Sequence, residues 1–266
     1  MKRALVCAAS CLLAVLVLVQ PGSAAEPRLV GGVAADQPHA FTAALQTTQG
    51  EFFCGGSLVN PSWVVTAAHC VEGRAATSFT VRVGSNDRTQ GGELVTPDRL
   101  VTHPDYTDTG TGGDIALVHF PAPVQAAPVP LGTATAVGTP VRLLGWGQTC
   151  PTPGCGTSPN VLQQLDTQLV DATKCTAPIN ASVELCTDNP GGNAGACYGD
   201  SGGPEVSQVD GHWVLLGVTS RPGNNSSTCA TAPSIYTSAV AYAGWINQQL
   251  APPPPPTPTP TPTPTP

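Results

Sequence analysis

Three short stretches of this chain hold residue types that perform chemistry together. Gly199-Asp200-Ser201-Gly202-Gly203-Pro204 sets a serine between an acid and two glycines. Glycine adopts positive φ without steric penalty and lets the backbone approach a ligand closely. Such a turn can present a hydroxyl to a reacting carbonyl with neighbouring N–H groups aimed at the same point. Thr66-Ala67-Ala68-His69-Cys70 puts a histidine after an apolar run, and Gly113-Asp114-Ile115-Ala116-Leu117-Val118 puts an acid at the mouth of another. A serine hydroxyl is a weak nucleophile near neutral pH and needs a base whose pKa lies nearby, which histidine supplies. A carboxylate beside that histidine fixes its tautomer and favours the imidazolium. Singly, each stretch has a plain alternative: a Gly-Pro turn, a satisfied core histidine, a strand-end cap. In the order His, Asp, Ser they point jointly to acyl transfer. His39, His103, His119 and His212 have no such context and read as structural or surface residues.

The elements that must position these groups are short strands. In the first half, Phe52 to Val59, Trp63 to Thr66, Phe79 to Val83, Leu94 to Thr102 and Ile115 to Phe120 fit strands, broken at Gln49-Gly50, Gly84 to Asp87 and Gly91-Gly92. Pro121, Pro123, Pro128 and Pro130 exclude an ordinary helix or central strand and mark a crossing segment. A second set follows at Val141 to Trp146, Leu162 to Val170, Val183 to Cys186, His212 to Ser220 and Ser234 to Tyr236. Ser238 then caps a helix carrying Val240, Trp245, Ile246 and Leu250. Two successive strand sets and a terminal helix predict paired β-barrels rather than one sandwich.

The ends and the composition bound the rest. Lys2 and Arg3, the apolar run Leu12 to Val19 and Ser23-Ala24-Ala25 read as a secretory signal peptide; the run is too short for a membrane anchor. Only 10% of residues are charged, so Thr, Ser, Asn, Gln and Gly must build much of the surface, as suits an exported all-β protein. The chain carries a net charge of −7, and loss of Lys2, Arg3 and Arg28 with the leader segments leaves it acidic. Nucleic acid and anionic membranes are therefore poor partners. Cys7 and Cys11 lie in the leader, and eight cysteines remain, an even number that implies disulfides in an exported chain. No Cys-x-x-Cys pair suggests zinc. Arg28 before Leu29-Val30-Gly31-Gly32 resembles a processing site with a new terminus at Leu29. Beyond Ala251 the chain is only Pro and Thr, a polyproline II spacer that is either a tail or a linker to another module.

With its three motifs, processing site and late Gly-Trp-Ile helix in register, the chain resembles a chymotrypsin-like (trypsin-family) serine protease from about Leu29 to Leu250. The resemblance implies two six-stranded antiparallel β-barrels of the chymotrypsin type with a C-terminal α-helix. It divides the chain into a signal peptide (1–25), a propeptide (26–28), a peptidase domain (29–250, its barrels meeting near 125) and the tail (251–266). It makes Ser201 the nucleophile, His69 the general base and acid, Asp114 its orienting carboxylate, and the N–H groups of Gly199 and Ser201 the oxyanion hole. Asp200 would pair with the amino group freed at Leu29, where the family more usually has Ile.

The resemblance also suggests Cys54–Cys70, Cys175–Cys186 and Cys197–Cys229 bridges, which leaves Cys150 and Cys155 for a local loop bridge. The expected pocket residues are Gly195, Ala196, Ser220 and Ser234. Gly195 stands where the trypsin branch has its acid, so the pocket should prefer apolar residues, aromatic and Leu or small aliphatic, over basic ones. Arg221-Pro222 stands where the family has Trp-Gly, which implies weaker extended-substrate binding unless Gly223 shifts into register. Asn180, Asn224 and Asn225 begin glycosylation sequons. The chemistry needs no metal or other cofactor, and a shortened loop from Gly84 to Glu93 suggests no calcium. The reading is a secreted endopeptidase made as a proenzyme, whose partners are polypeptide substrates, an activating protease and proteinaceous inhibitors. A non-catalytic binding or adhesion module and an esterase with the same triad are the alternatives.

Overall fold

In Phe79–Val83 every second residue is buried and the intervening Thr80 and Arg82 are half exposed, the period-two signature of a strand with one face on a core. Such strands organise nearly the whole chain. The structure, a computed structural model, describes residues 29–108 and 111–251; the leader, Arg28 and the Pro/Thr repeat beyond Ala251 lie outside these. In chain order the elements are β1 (Val33–Ala34), β2 (Thr42–Thr47), β3 (Phe52–Asn60), β4 (Trp63–Thr66), α1 (Ala68–Val71), β5 (Phe79–Val83), β6 (Glu93–Val95), β7 (Arg99–Thr102) and β8 (Ala116–His119). Then come β9 (Pro140–Gly145), β10 (Gln163–Val170), β11 (Glu184–Thr187), β12 (Pro204–Val209), β13 (His212–Pro222), β14 (Ser234–Ser238) and α2 (Ala243–Leu250).

The C-terminal strands close on themselves. The ladder order is β10-β11-β14-β13-β12-β9, and β9 pairs again with β10, a closed six-stranded antiparallel barrel to which β1 adds at β10. The N-terminal strands form an antiparallel sheet in the order β6-β5-β2-β3-β4-β8-β7 that curls without a ladder joining its edges. Those edges, β6 and β7, are consecutive segments of one run, which sequence pattern joins as Leu94 to Thr102. Pro97 lacks a backbone donor, and the chain bends at Thr96-Pro97-Asp98 to leave one edge and join the other.

Three strands are invisible to sequence pattern, the first being β1, only two exposed residues long. β2 is small-residue rich and buried from Thr42 to Gln46, so it does not alternate, and Pro204 disguises the start of β12. Ser238 does accept a backbone hydrogen bond, from Ala241 N–H at 3.1 Å, but this closes the turn ahead of α2. The helix itself begins at Ala243 without a side-chain cap.

The main apolar cluster spans both halves, with Phe41, Val65, Phe79 and Leu117 packed in one cluster with Trp146, Val206, Val218 and Ile246. A second lies within the C-terminal barrel around Leu29, Leu143, Leu216 and Tyr236.

His39 is 1% exposed, edge-on to Phe41 and Trp213, and neither ring nitrogen has a hydrogen-bond partner among the described residues. Burial, reinforced by Arg142 and opposed by Asp36, holds its pKa down to about 4. The unfolded chain takes up this proton below about pH 6.5 and the folded chain only near 4. Stability should therefore fall as pH drops from about 6.5 to 4, by roughly 3 kcal/mol, and then level off. Urea melts of the parent and His39→Phe across that range test this: the stability of the parent relative to the variant should fall by roughly 3 kcal/mol between pH 6.5 and 4 and be constant above and below, and parallel curves would refute it.

Candidate active site

The turn at Ser201 joins the Cys197–Cys229 bridge to β12. Within it Asp200 N–H donates to Cys197 O (2.9 Å), Gly202 N–H to Thr219 O (2.8 Å) and Gly203 N–H to Asp200 O (2.9 Å). Gly55 N–H of β3 donates to Ser201 O (2.8 Å), pinning the turn to the other barrel. The N–H groups of Gly199 and Ser201 find no acceptor among the described residues. Two unengaged donors flanking one serine are what an oxyanion requires. Glycine is obligatory at position 202, where φ is +77° and a Cβ would strike Thr66 Oγ1 and Gly55 O.

His69 lies on the single turn of α1, held to β3 by the Cys54–Cys70 bridge. Asp114, 8% exposed, closes the loop before β8. Its Oδ1 accepts His69 backbone N–H (3.1 Å), and its Oδ2 faces His69 Nδ1 (2.9 Å) and accepts Ser220 Oγ–H (2.6 Å). Burial raises the Asp114 pKa, but the hydrogen bonds and charge of His69 and the Ser220 hydroxyl outweigh it, so the net shift is downward. An ionised carboxylate can only accept, so Nδ1 carries the ring proton and Nε2 is left as the base.

Three anchors of Asp114 carry no motif in the sequence. Thr237 Oγ1 donates to Asp114 O (2.9 Å), Gly113 N–H to Tyr242 Oη (2.7 Å) and Gly112 N–H to Glu184 Oε1 (2.9 Å). All three partners belong to the other barrel or the C-terminal turn, more than 70 residues away in sequence. Ser220, expected on the pocket wall, has this second contact with Asp114 as well.

Ser201 and His69 line two hollows that share Ser220 and Arg221. Ser201 lines a cavity of about 230 Å³ with Ala196, Thr219, Ser220, Arg221 and Ser234. His69 lines an adjoining hollow with Tyr106, Asp108, Asp114, Ser220 and Arg221. Gly195, expected at the pocket base, is not among the residues that line the Ser201 cavity. Its N–H is taken by Val30 O (2.9 Å), and Ser234 Oγ lies in front of it, 3.7 Å from where a Cβ would be. No carboxylate lines the Ser201 cavity; its one charged wall residue is Arg221. Tyr198, 42% exposed beside the nucleophile turn, donates its hydroxyl to Ser227 O (2.7 Å). Gly223 N–H is consumed by Pro233 O (2.9 Å), so Gly223 does not replace the donor that Pro222 lacks.

Asp200 is buried, with Gly147 N–H on Oδ1 (2.8 Å) and Cys197 N–H on Oδ2 (2.9 Å). No Lys, Arg or His pairs with it among the described residues. Burial pushes its pKa up to about 7 against the pull of these two N–H groups. Leu29 is 1% exposed in the core of the same barrel, packed in a cluster with Leu143 and Ala194. The remaining bridges, Cys150–Cys155 and Cys175–Cys186, are also formed. Among the described residues the only metal-like grouping is Cys54, His69 and Cys70, and its two sulfurs are joined to each other.

A family model described as Trypsin matches residues 29–246. The chain is 32% identical over 247 residues to a protein named Trypsin from Saccharopolyspora erythraea, covering 84% of this chain and 98% of that relative. It is 30% identical over 255 residues to Serine protease 1 from Rattus norvegicus, covering 90% and 98% respectively.

Proposed function

The chain belongs to the trypsin family and is a serine endopeptidase acting on polypeptides; from that premise we propose that Ser201, His69 and Asp114 are its catalytic triad. Ser201 Oγ attacks the scissile carbonyl while His69 Nε2 takes its proton. The N–H groups of Gly199 and Ser201 receive the negative oxygen of the tetrahedral intermediate. His69 then protonates the leaving amine, and water, deprotonated by the same nitrogen, releases the acyl group. The observation that carries this reading is the His69 Nδ1–Asp114 Oδ2 contact at 2.9 Å, which leaves Nε2 free to act as the base.

The cavity beside Ser201, small and without a carboxylate on its walls, supports preference for an apolar residue at the scissile bond. Its one charged wall residue, Arg221, is already paired with Glu184, so the cavity offers no counter-charge to Lys or Arg. Pro222 has no N–H, and that of Gly223 is already bonded, so an extended substrate gains little by pairing along this edge.

Secretion and activation by cleavage after Arg28 complete the proposal. An unpaired buried Asp200 and a buried Leu29 support a switch in which the new amino group supplies the missing cation. The test is active-site titration with a fluorophosphonate on protein whose first residue is Leu29. Stoichiometric labelling is expected, with none for Ser201→Ala, and a peptide library should then show cleavage after apolar residues. An unlabelled protein of verified amino terminus would overturn the triad.

A further inference from the structure

Glu184 opens β11 with its side chain fully buried, yet four donors converge on its carboxylate. Arg221 Nη1 meets Oε1 at 2.6 Å and Arg221 Nη2 meets Oε2 at 3.0 Å, a two-pronged pair in fork geometry. Gly112 N–H fills the rest of Oε1 (2.9 Å) and Asn180 N–H the rest of Oε2 (2.7 Å). Arg221 in turn gives a second bond to Pro178 O (2.8 Å). A buried carboxylate is expensive unless paired and fully hydrogen-bonded, and this one is both.

The residues so gripped are those that frame Asp114. Gly112 precedes it by two positions in the loop that delivers it to His69. Arg221 follows Ser220, whose hydroxyl holds Asp114 Oδ2 at 2.6 Å. One carboxylate therefore fixes both the loop bearing the orienting acid and the strand segment bearing that acid's hydroxyl partner. Arg221 also forms the wall common to the Ser201 cavity and the His69 hollow.

We propose that Glu184 is a positioning residue for catalysis, acting through Arg221 and Gly112 to hold Asp114 and Ser220 in register with His69. This rests on the triad proposed above. Substitution of either member leaves the other's charge inadequately matched and lets both segments shift. Displacement by about 1 Å at a reacting geometry is sufficient for a hundredfold rate loss.

The experiment compares Glu184→Gln and Arg221→Lys with the parent protein, each titrated with fluorophosphonate so that rates refer to competent sites alone. Two substrates are used: a short ester that reaches no farther than the scissile-residue pocket, and an extended peptide. In Glu184→Gln the amide must turn an N–H toward Arg221 or a backbone donor. Its kcat per titrated site is expected to fall about tenfold to a hundredfold on both substrates, with KM for the ester within about twofold. Arg221→Lys keeps the charge but loses the fork and should fall less. Unchanged kcat per site in Glu184→Gln overturns the proposal. So does a defect confined to KM for the peptide, which would make the pair a cleft wall only. A lower titratable fraction with normal turnover likewise reduces Glu184 to a folding role. Failure of the parent protein to label overturns the triad instead and is thereby distinguished.

Discussion

Asp114→Asn is expected to lower kcat about 10⁴-fold while leaving the fold intact. The reason lies in how the two carboxylate oxygens are used. Oδ1 accepts His69 backbone N–H, whereas Oδ2 receives both His69 Nδ1 and Ser220 Oγ. An asparagine can keep its oxygen only on one side. With oxygen toward the backbone N–H, its amide group donates to Nδ1 and places the ring proton on Nε2, where it blocks acceptance of the Ser201 proton. The opposite rotamer sets two N–H groups against each other, so the inactive tautomer wins. Turnover per titrated site against pH measures this. A loss below about tenfold, or 1.4 kcal/mol, would mean that Asp114 does not orient His69.

Asp200→Asn carries the second largest effect. Both oxygens of Asp200 accept backbone N–H groups, from Gly147 and Cys197, and its own N–H and C=O brace the turn through Cys197 and Gly203. Gly145 and Gly147 lack side chains where a Cβ would collide with this carboxylate. An amide must aim its N–H₂ at one of the two donors, which leaves a buried N–H unsatisfied at roughly 1–3 kcal/mol. The strain falls on Gly199 and Ser201, so kcat is expected to drop about 10²–10³-fold, the scale of losing one oxyanion donor.

The pH sign follows from the same group. With its pKa raised to about 7, Asp200 stabilises the uncleaved chain below the ordinary carboxylate range, and that contribution fades as pH rises through 7. A cation delivered beside it reverses the preference. Chemical denaturation at pH 6 and 8 should then show the cleaved protein gaining on the uncleaved one at the higher pH. Equal responses would remove the switch.

How much of this was legible beforehand divides along sequence distance. The Ser201 turn, His69 and Asp114 stand out as candidates because glycine and the flanking apolar runs are local requirements. The barrels are readable because short alternating runs recur, and Phe79–Val83 and Trp63–Thr66 carry the bounds expected of them. What the pattern hides is whatever tertiary packing alone decides. β2 is buried on both faces and so does not alternate, and the β6–β7 bend turns one apparent strand into the two edges of a sheet. Thr237, Tyr242 and Glu184 reach the Asp114 loop from beyond 70 residues, and no short motif encodes such a contact.

The main apolar cluster draws side chains from both barrels, Phe79 and Leu117 from one and Val206 and Val218 from the other. His69 and Asp114 stand on one side of that seam, Ser201 on the other. Neither half therefore holds the whole of the proposed triad, and an intermediate with only one barrel formed is expected to have no hydrolytic activity.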